Sequence, residues 1–172
     1  GRNISVIFGD GAGAIVMTRS ENKNKGILHS QLHSEGKYAE ELSLIGPNTR
    51  RWVPEILGEN DPDDVSYFPQ MNGQFVFKNA VIRFSEVINA GLKKTGWQPS
   101  DIDILIPHQA NLRISQFVQK KFGLRDDQVF NNIQVYGNTT AASIPIALTE
   151  AWEKGKIKED SKVVIHQHFN SI

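Results

Sequence analysis

The sequence predicts an α/β fold in which helices pack on a layered sheet. Two segments, residues 77–92 and 112–122, carry apolar side chains at spacings of three and four, which is typical of amphipathic helices. Short continuous apolar runs at residues 102–106 and 163–165 are typical of buried strands. Helices that alternate with buried strands through short loops indicate an α/β layered protein.

Each helix has an identifiable end. The first stops before Gly96 and Pro99. The five apolar side chains on one of its sides are Phe77, Val81, Phe84, Ile88 and Leu92. The second stops at Gly123, a typical residue after a helix. A third helix is predicted over about residues 142–154, where Pro145 is tolerated because it lies in the first turn.

The first part of the chain is predicted to contain strands and then a long loop. Residues 4–8 and 14–18 are short apolar runs joined by Gly9-Asp-Gly-Ala-Gly13, which fits a strand, a turn and a second strand. Residues 26–32 are a further strand candidate. Four prolines and several acidic residues between positions 46 and 69 predict an excursion over about residues 46–70.

Composition and charge exclude several functions. The 172 residues suffice for one domain with a core, and 19 basic against 19 acidic side chains remove the case for nucleic-acid binding by bulk charge. No targeting segment is recognisable and no apolar run approaches the roughly 18 residues that span a bilayer, so we expect a cytoplasmic protein with no membrane partner. Because the chain has no cysteine, it offers no disulfide and no thiol nucleophile. It also lacks an initiator Met, and we expect a piece of a longer protein.

The glycine-rich segment and the histidine pairs have structural explanations. Gly9-Asp-Gly-Ala-Gly13 lacks the Lys-Ser/Thr ending of a P-loop and the spacing of a dinucleotide fingerprint, so we favour a turn where backbone approaches closely. His29 with His33, and His166 with His168, could share a face, but a metal site needs a third ligand. We expect partly exposed histidines and no metal.

Two polar side chains follow predicted strands or turns where α/β proteins bind ligands. His108 lies between a buried strand and a helix, and Asn138 lies in a tight turn before the next helix. Both can donate hydrogen bonds to one carbonyl oxygen that gains charge. The alternatives are that His108 is a satisfied loop histidine and Asn138 an ordinary turn residue. Asn111 either caps the second helix or points into a site.

Four motifs occur together in this chain, and together they resemble one family. They are Phe8-Gly-Asp-Gly-Ala-Gly-Ala14, Met71-Asn-Gly73, Ile106-Pro-His-Gln-Ala-Asn-Leu-Arg113 and Tyr136-Gly-Asn-Thr-Thr140. In order and spacing they resemble β-ketoacyl-acyl carrier protein synthase III, a condensing-enzyme family with the thiolase fold. The resemblance reaches to about residue 158. It implies that residues 1–25 are the last hairpin of the N-terminal half and residues 26–172 the C-terminal half.

The resemblance implies a decarboxylative Claisen condensation that starts fatty-acid synthesis and uses no cofactor. In the family, a cysteine of the N-terminal half takes an acyl group from acyl-CoA. Residues matching His108 and Asn138 bind the thioester carbonyl of malonyl-acyl carrier protein and stabilise the enolate formed as carbon dioxide leaves. The carbanion then attacks the acyl-cysteine to give 3-oxoacyl-acyl carrier protein.

The resemblance also implies binding residues and partners. Five residues are expected to line the tunnel for the pantetheine arm and acyl group: Met71, Gly73, Phe77, Ala110 and Asn111. For Phe77, an ordinary helix-core position is an equal alternative. Arg113 is the candidate for docking the acidic carrier protein. A homodimer is expected.

Two departures from the family leave alternatives open. The nucleophilic cysteine is absent, and residues 163–172 lack the family's terminal glycines, with His168 and Phe169 where the family has small residues. We therefore expect this chain to be inactive alone and to act with a cysteine-bearing N-terminal half. One alternative is a non-catalytic module that binds acyl carrier protein or a partner half. Another is a related condensing enzyme of secondary metabolism.

Overall fold

The computed structural model describes residue 4 and residues 6–22, 24–44 and 68–167. Its strands and α-helices are β1 (Leu42–Ser43), β2 (Gln70–Met71), α1 (Gly73–Thr95), β3 (Ile104–Pro107), α2 (Leu112–Phe122), α3 (Ile133–Tyr136), α4 (Ser143–Glu153) and β4 (Val163–His166). Short 3₁₀ segments occur at Gly36–Glu41, Pro99–Asp101, Asp126–Gln128 and Thr140–Ala142. Most of the excursion predicted over residues 46–70 lies outside the described residues.

Helix α1 confirms the first predicted helix and extends it at both ends. Asn72 caps its beginning, since the side-chain oxygen accepts a hydrogen bond from the backbone N–H of Phe75. The helix ends at Gly96, which has a φ of 73° and donates its N–H to the carbonyl of Leu92. The apolar side of α1 packs with α2 into one core cluster.

Strand β3 lies between β4 and the extended segment around Val129, and its packing between helices confirms the α/β prediction. It pairs in parallel with β4, from Ile104 opposite Val163 to Pro107 opposite His166. On its other side, the N–H of Phe130 donates to the carbonyl of Leu105 over 3.0 Å.

Successive side chains of β3 point to opposite faces, as a strand requires. Leu105 belongs to the core cluster formed with α1 and α2. Ile104 and Ile106 belong to a second cluster formed with α4. Because helices cover both faces, all four residues of β3 are buried, and the end of the strand is held in a fixed place.

Among the described residues, the strands predicted over residues 4–8, 14–18 and 26–32 do not form, and the described part of residues 1–25 shows no hairpin. Phe8 makes a single bridge to Asn138, and residues 9–20 have no regular secondary structure. Neither described two-stranded sheet includes these runs. A strand needs a neighbouring strand for its backbone hydrogen bonds, and beyond the bridge of Phe8 the described residues place no strand beside these runs. Val16 is 90% exposed in consequence.

The glycine-rich segment confirms the prediction of a close backbone approach. A Cβ built on Gly9 would meet the backbone oxygen of Tyr136, and one built on Gly13 would meet the ring of Pro145. A Cβ on Gly11 would lie 2.8 Å from Cδ1 of Ile146. The segment therefore packs against the turn that carries Asn138 and against the start of α4.

Among the described residues, no helix is both long and apolar enough to cross a membrane.

Candidate active site

His108 is the first residue after β3 and is buried. Its backbone N–H donates to the carbonyl of His166 over 2.7 Å, so the pairing of β3 with β4 continues through His108. Its ring atom Nδ1 lies 2.6 Å from Oγ of Ser143, the first residue of α4. A strand and a helix thus hold the imidazole from two sides.

The next residue, Gln109, anchors the loop that carries His108. Its side-chain Nε2 donates to the carbonyls of Pro107 and Phe130 over 2.7 and 3.3 Å. Its Oε1 accepts from the backbone N–H groups of Asn132 and Ile133 over 3.0 and 3.1 Å. Every polar position of this buried amide is used, so the loop after β3 is joined rigidly to residues 130–133.

Asn138 is also buried and is fixed through both backbone and side chain. Its backbone N–H donates to the carbonyl of Ile7, and its carbonyl accepts from the N–H of Gly9. Its side-chain Oδ1 accepts from the N–H of Thr140 over 2.9 Å. Thr140 has a φ of 50°, a left-handed conformation that closes this turn. Because an N–H must bond an oxygen, this contact assigns the amide oxygen to the Thr140 side and leaves Nδ2 as the donor of the amide group.

The segment that leads to Asn138 is anchored to α4 through a charged side chain. Asn132 donates its side-chain amide to the Glu150 carboxylate over 2.7 Å, and the Lys154 ammonium lies 3.0 Å from the same carboxylate. These two contacts hold the pKa of Glu150 below its ordinary value, the hydrogen bond from Asn132 being the larger cause.

Together these contacts can stabilise an oxygen that gains negative charge. The turn over residues 138–143 touches both candidates: Thr140 orients Asn138, and Ser143 contacts the ring of His108. Fixed hydrogen-bond donors that are buried act in a low dielectric and need no reorganisation as charge develops. The prediction that His108 and Asn138 act as a pair stays a prediction.

Predicted tunnel residues come from two regions. Met71 ends β2, and Gly73 and Phe77 lie in the first turns of α1. Phe77 is half-buried and packs against the core of α1 and α2. This is the ordinary helix-core position that was the alternative to a tunnel residue. Ala110 donates its N–H to the carbonyl of His108 over 2.9 Å, so it shapes the loop. Their contact with an acyl chain stays a prediction.

Asn111 and Arg113 lie at the beginning of α2. Asn111 caps the helix, with Oδ1 accepting from the N–H of Arg113 over 2.9 Å, and its side chain is exposed. The capping role is therefore observed, and the contact of Asn111 with a substrate stays a prediction. Arg113 is exposed, and its docking of a carrier protein stays a prediction.

The histidines outside the loop differ in burial. His166 is buried, with its ring centroid 3.6 Å from that of Phe84, so the expectation of partial exposure is wrong for it. The cause is that one face of β4 packs against α1. His29 is half-buried and His33 exposed, while His168 lies outside the described residues. The described part of the chain holds no cluster of three or more side chains suited to a metal ion.

Sequence reasoning missed Ser143, Gln109 and Thr140 as parts of the site. The Asn-Thr-Thr spacing carries a signal for Thr140, because Asn side chains often bond the N–H two residues on. Ser143 is 35 positions from His108, and Gln109 is 23 positions from Asn132. Local patterns carry no information about contacts at such separations.

The fold is that of the second half of a thiolase-fold protein. The chain belongs to the 3-oxoacyl-[acyl-carrier-protein] synthase III family. The family's C-terminal model matches residues 92–167, and a second model of the same family matches residues 1–36.

Individual relatives agree with this assignment. Beta-ketoacyl-[acyl-carrier-protein] synthase III of Desulfotalea psychrophila is 42% identical over 164 residues, which are 95% of this chain and 49% of the relative. The crystal structure of 3-oxoacyl-[acyl-carrier-protein] synthase III from Aquifex aeolicus VF5 matches with a TM-score of 0.82 at 40% identity, covering 97% of this chain and 48% of that one. The corresponding Pseudomonas aeruginosa PAO1 structure gives 0.83 at 31% identity, with coverages of 99% and 49%. The chain spans about half the length of the curated relatives it matches.

Proposed function

We propose that this chain supplies the oxyanion-binding half of a β-ketoacyl-acyl carrier protein synthase III, acting with a cysteine-bearing N-terminal half. The observation that carries the proposal is that Thr140 fixes the Asn138 amide as a donor while Ser143 holds the His108 ring through Nδ1. Two buried, pre-oriented polar groups in one α/β unit suit an oxygen that becomes negatively charged during a reaction.

In the proposed reaction, His108 and Asn138 each donate a hydrogen bond to the thioester carbonyl oxygen of malonyl-acyl carrier protein. The bond to the carboxylate breaks, carbon dioxide leaves, and its electron pair forms an enolate whose oxygen the two donors stabilise. The enolate carbon then attacks the acyl-cysteine carbonyl of the other half, and the cysteine thiolate leaves. The product is 3-oxoacyl-acyl carrier protein, and no cofactor takes part.

The exposed apolar side chains near the beginning of the chain support the need for a second half. Val6, Ile15, Val16 and Met17 are each more than half exposed. Exposed apolar side chains that cluster in one segment mark a surface that another part of a protein covers. The chain also covers only about half the length of each relative. Both observations support the proposal that residues 1–25 join the N-terminal half to residues 26–172.

Further parts of the proposal concern substrate and partners. The exposed cation Arg113 at the start of α2 docks the acidic carrier protein. The tunnel for pantetheine and acyl chain is lined by Met71, Gly73, Phe77, Ala110 and Asn111. The family resemblance supports a cytoplasmic homodimer.

The test is carbon dioxide release from malonyl-acyl carrier protein that is labelled in its free carboxyl group. The chain is combined with the N-terminal half of the Aquifex aeolicus relative, which supplies the cysteine. His108→Ala and Asn138→Ala are each expected to lower the rate by about two orders of magnitude, the usual cost of removing an oxyanion donor. The exposed His33→Ala is the matched control and is expected to leave the rate unchanged. Unchanged release in both site variants contradicts the proposed roles.

Two further measurements on the assembled protein separate the alternatives. A non-catalytic module would bind the carrier protein, lose that binding in Arg113→Glu, and release no carbon dioxide when assembled. Condensation with thioesters other than the primer of fatty-acid synthesis identifies a related enzyme of secondary metabolism.

A further inference from the structure

We propose that Ser143 is a positioning residue that fixes the tautomer of His108, with the ring proton on Nε2. The inference rests on the proposed function, which requires His108 to donate a hydrogen bond. The tautomer itself is a property of the chain and can be measured without any activity.

The contact between the two side chains is short and buried. Oγ of Ser143 lies 2.6 Å from Nδ1 of His108, and Ser143 is only 2% exposed. Ser143 is the first residue inside the helix, and the capping position is the residue before it. Here the residue before it, Ala142, provides no side-chain cap, and the Ser143 hydroxyl instead reaches across to the loop after β3.

The contacts of the hydroxyl together favour one direction for this hydrogen bond. The backbone N–H of Gln109 points to the same Oγ over 3.4 Å, so it takes one of the oxygen lone pairs. Among the described residues, Nδ1 of His108 is the one acceptor within hydrogen-bond distance of this hydroxyl. A buried hydroxyl that donates to nothing is costly, so its proton points to Nδ1. A neutral imidazole that accepts at Nδ1 carries its proton on Nε2.

This direction matters for the chemistry proposed above. With the proton on Nε2, the ring presents a donor on the side away from Ser143, as a developing oxyanion requires. The opposite tautomer would present a lone pair there and repel the same oxygen. Loss of the hydroxyl allows both tautomers, so only a part of the molecules keep the donor in place.

The direct test is imidazole nitrogen NMR of the chain labelled with ¹⁵N in histidine. In the wild type, we expect His108 to show an unprotonated Nδ1 and a protonated Nε2. Ser143→Ala should move both resonances toward intermediate positions, and Ser143→Thr, which keeps the hydroxyl, should restore the wild-type pattern. Ser115→Ala is the control, because Ser115 is equally buried and its hydroxyl has no hydrogen-bond partner in the described part of the chain.

A second readout uses the protein assembled with the cysteine-bearing half. Ser143→Ala is expected to lower kcat about tenfold, as for the loss of one buried hydrogen bond, with little change in KM. In a His108→Ala background the same substitution should have no further effect, since its action passes through the ring.

The outcomes separate this inference from the proposed function. A proton on Nδ1 in the wild type, or an unchanged tautomer in Ser143→Ala, overturns the inference whether or not the protein is active. The expected tautomer in an assembled protein that releases no carbon dioxide overturns the proposed function and leaves the inference standing. If Ser143→Ala does not fold, the wild-type spectrum still tests the tautomer, and a proton on Nδ1 there overturns the inference.

Discussion

The side chain of Gln109 accepts a hydrogen bond from the backbone N–H of Asn132, 23 positions further along the chain, over 3.0 Å. Gln109 directly follows His108, and Asn132 begins the segment that leads to Asn138. The amide therefore connects the two loops that carry the proposed donors. Their relative position depends on a buried polar contact as well as on the sheet.

Replacing Gln109 by Leu should destabilise the fold strongly. Leucine has a similar size but leaves the N–H groups of Asn132 and Ile133 without an acceptor in the interior. We expect the free energy of unfolding to fall by about 3 kcal/mol, since each buried unsatisfied group costs about 1–3 kcal/mol. Urea unfolding followed by circular dichroism measures the change. Gln116→Leu, on the exposed side of α2, is the control and should change stability by no more than about 0.5 kcal/mol. Equal effects of the two variants contradict this role.

The Glu150 carboxylate should make the fold more stable near neutral pH than in acid. Its pKa is lowered in the folded chain by the hydrogen bond from Asn132 and by Lys154. A group whose folded pKa lies below its unfolded pKa stabilises the fold above the unfolded value, and this stabilisation is lost as the pH falls through the folded value. The difference in Tm between wild type and Glu150→Gln should therefore be largest near neutrality and shrink on acidification. Glu153→Gln, an exposed change on the same helix, is the control. A difference in Tm that stays constant or grows in acid would refute the assignment.

The helices could be predicted because each carries its own information. Apolar side chains at spacings of three and four predict which side of α1 and α2 is buried. Gly96 and Gly123, with φ of 73° and 63°, mark where the helices stop. The buried run of β3 and the polar residue that follows it were sufficient to place His108 at a strand end. These features depend on residues that are close together in the sequence.

The remaining features depend on partners that are distant in the sequence. The apolar runs at residues 4–8 and 14–18 have a strand-like composition, but a strand forms only where another strand accepts its backbone hydrogen bonds. The burial of His166 depends on the packing of α1 over β4, which brings Phe84 against its ring. The contact of Ser143 with His108 follows from the placement of α4 beside β3. The spacing of apolar residues along the chain carries no information about these contacts between distant segments.

Gly9 should not tolerate a side chain. A Cβ at this position would meet the backbone oxygen of Tyr136, which cannot move without displacing the turn of Asn138. We expect Gly9→Ala to lower stability by about 2 kcal/mol, within the range for overpacking, and to shift the amide resonance of Asn138. Gly36→Ala is the matched control, because nothing lies within 4 Å of a Cβ there. Thermal unfolding and an amide correlation spectrum measure the two effects. If Gly9→Ala behaves like Gly36→Ala, the glycine segment does not support the site.

Asn138→Asp should separate the donor of this side chain from its structural role. Aspartate has the same shape and still accepts the hydrogen bond from the N–H of Thr140, so the turn should be kept. It has no Nδ2 donor, and its charge repels a developing oxyanion. In the protein assembled with its cysteine-bearing half, we expect carbon dioxide release to fall by about 10²–10³-fold.

The control for this substitution is Asn22→Asp. Asn22 makes the same kind of turn, with Oδ1 accepting from the N–H of Asn24 over 2.9 Å, and it is exposed. We expect Asn22→Asp to change neither the rate nor the Tm. If Asn138→Asp folds like the wild type and keeps its rate, Asn138 acts only as a turn residue, and the oxyanion role belongs to another group.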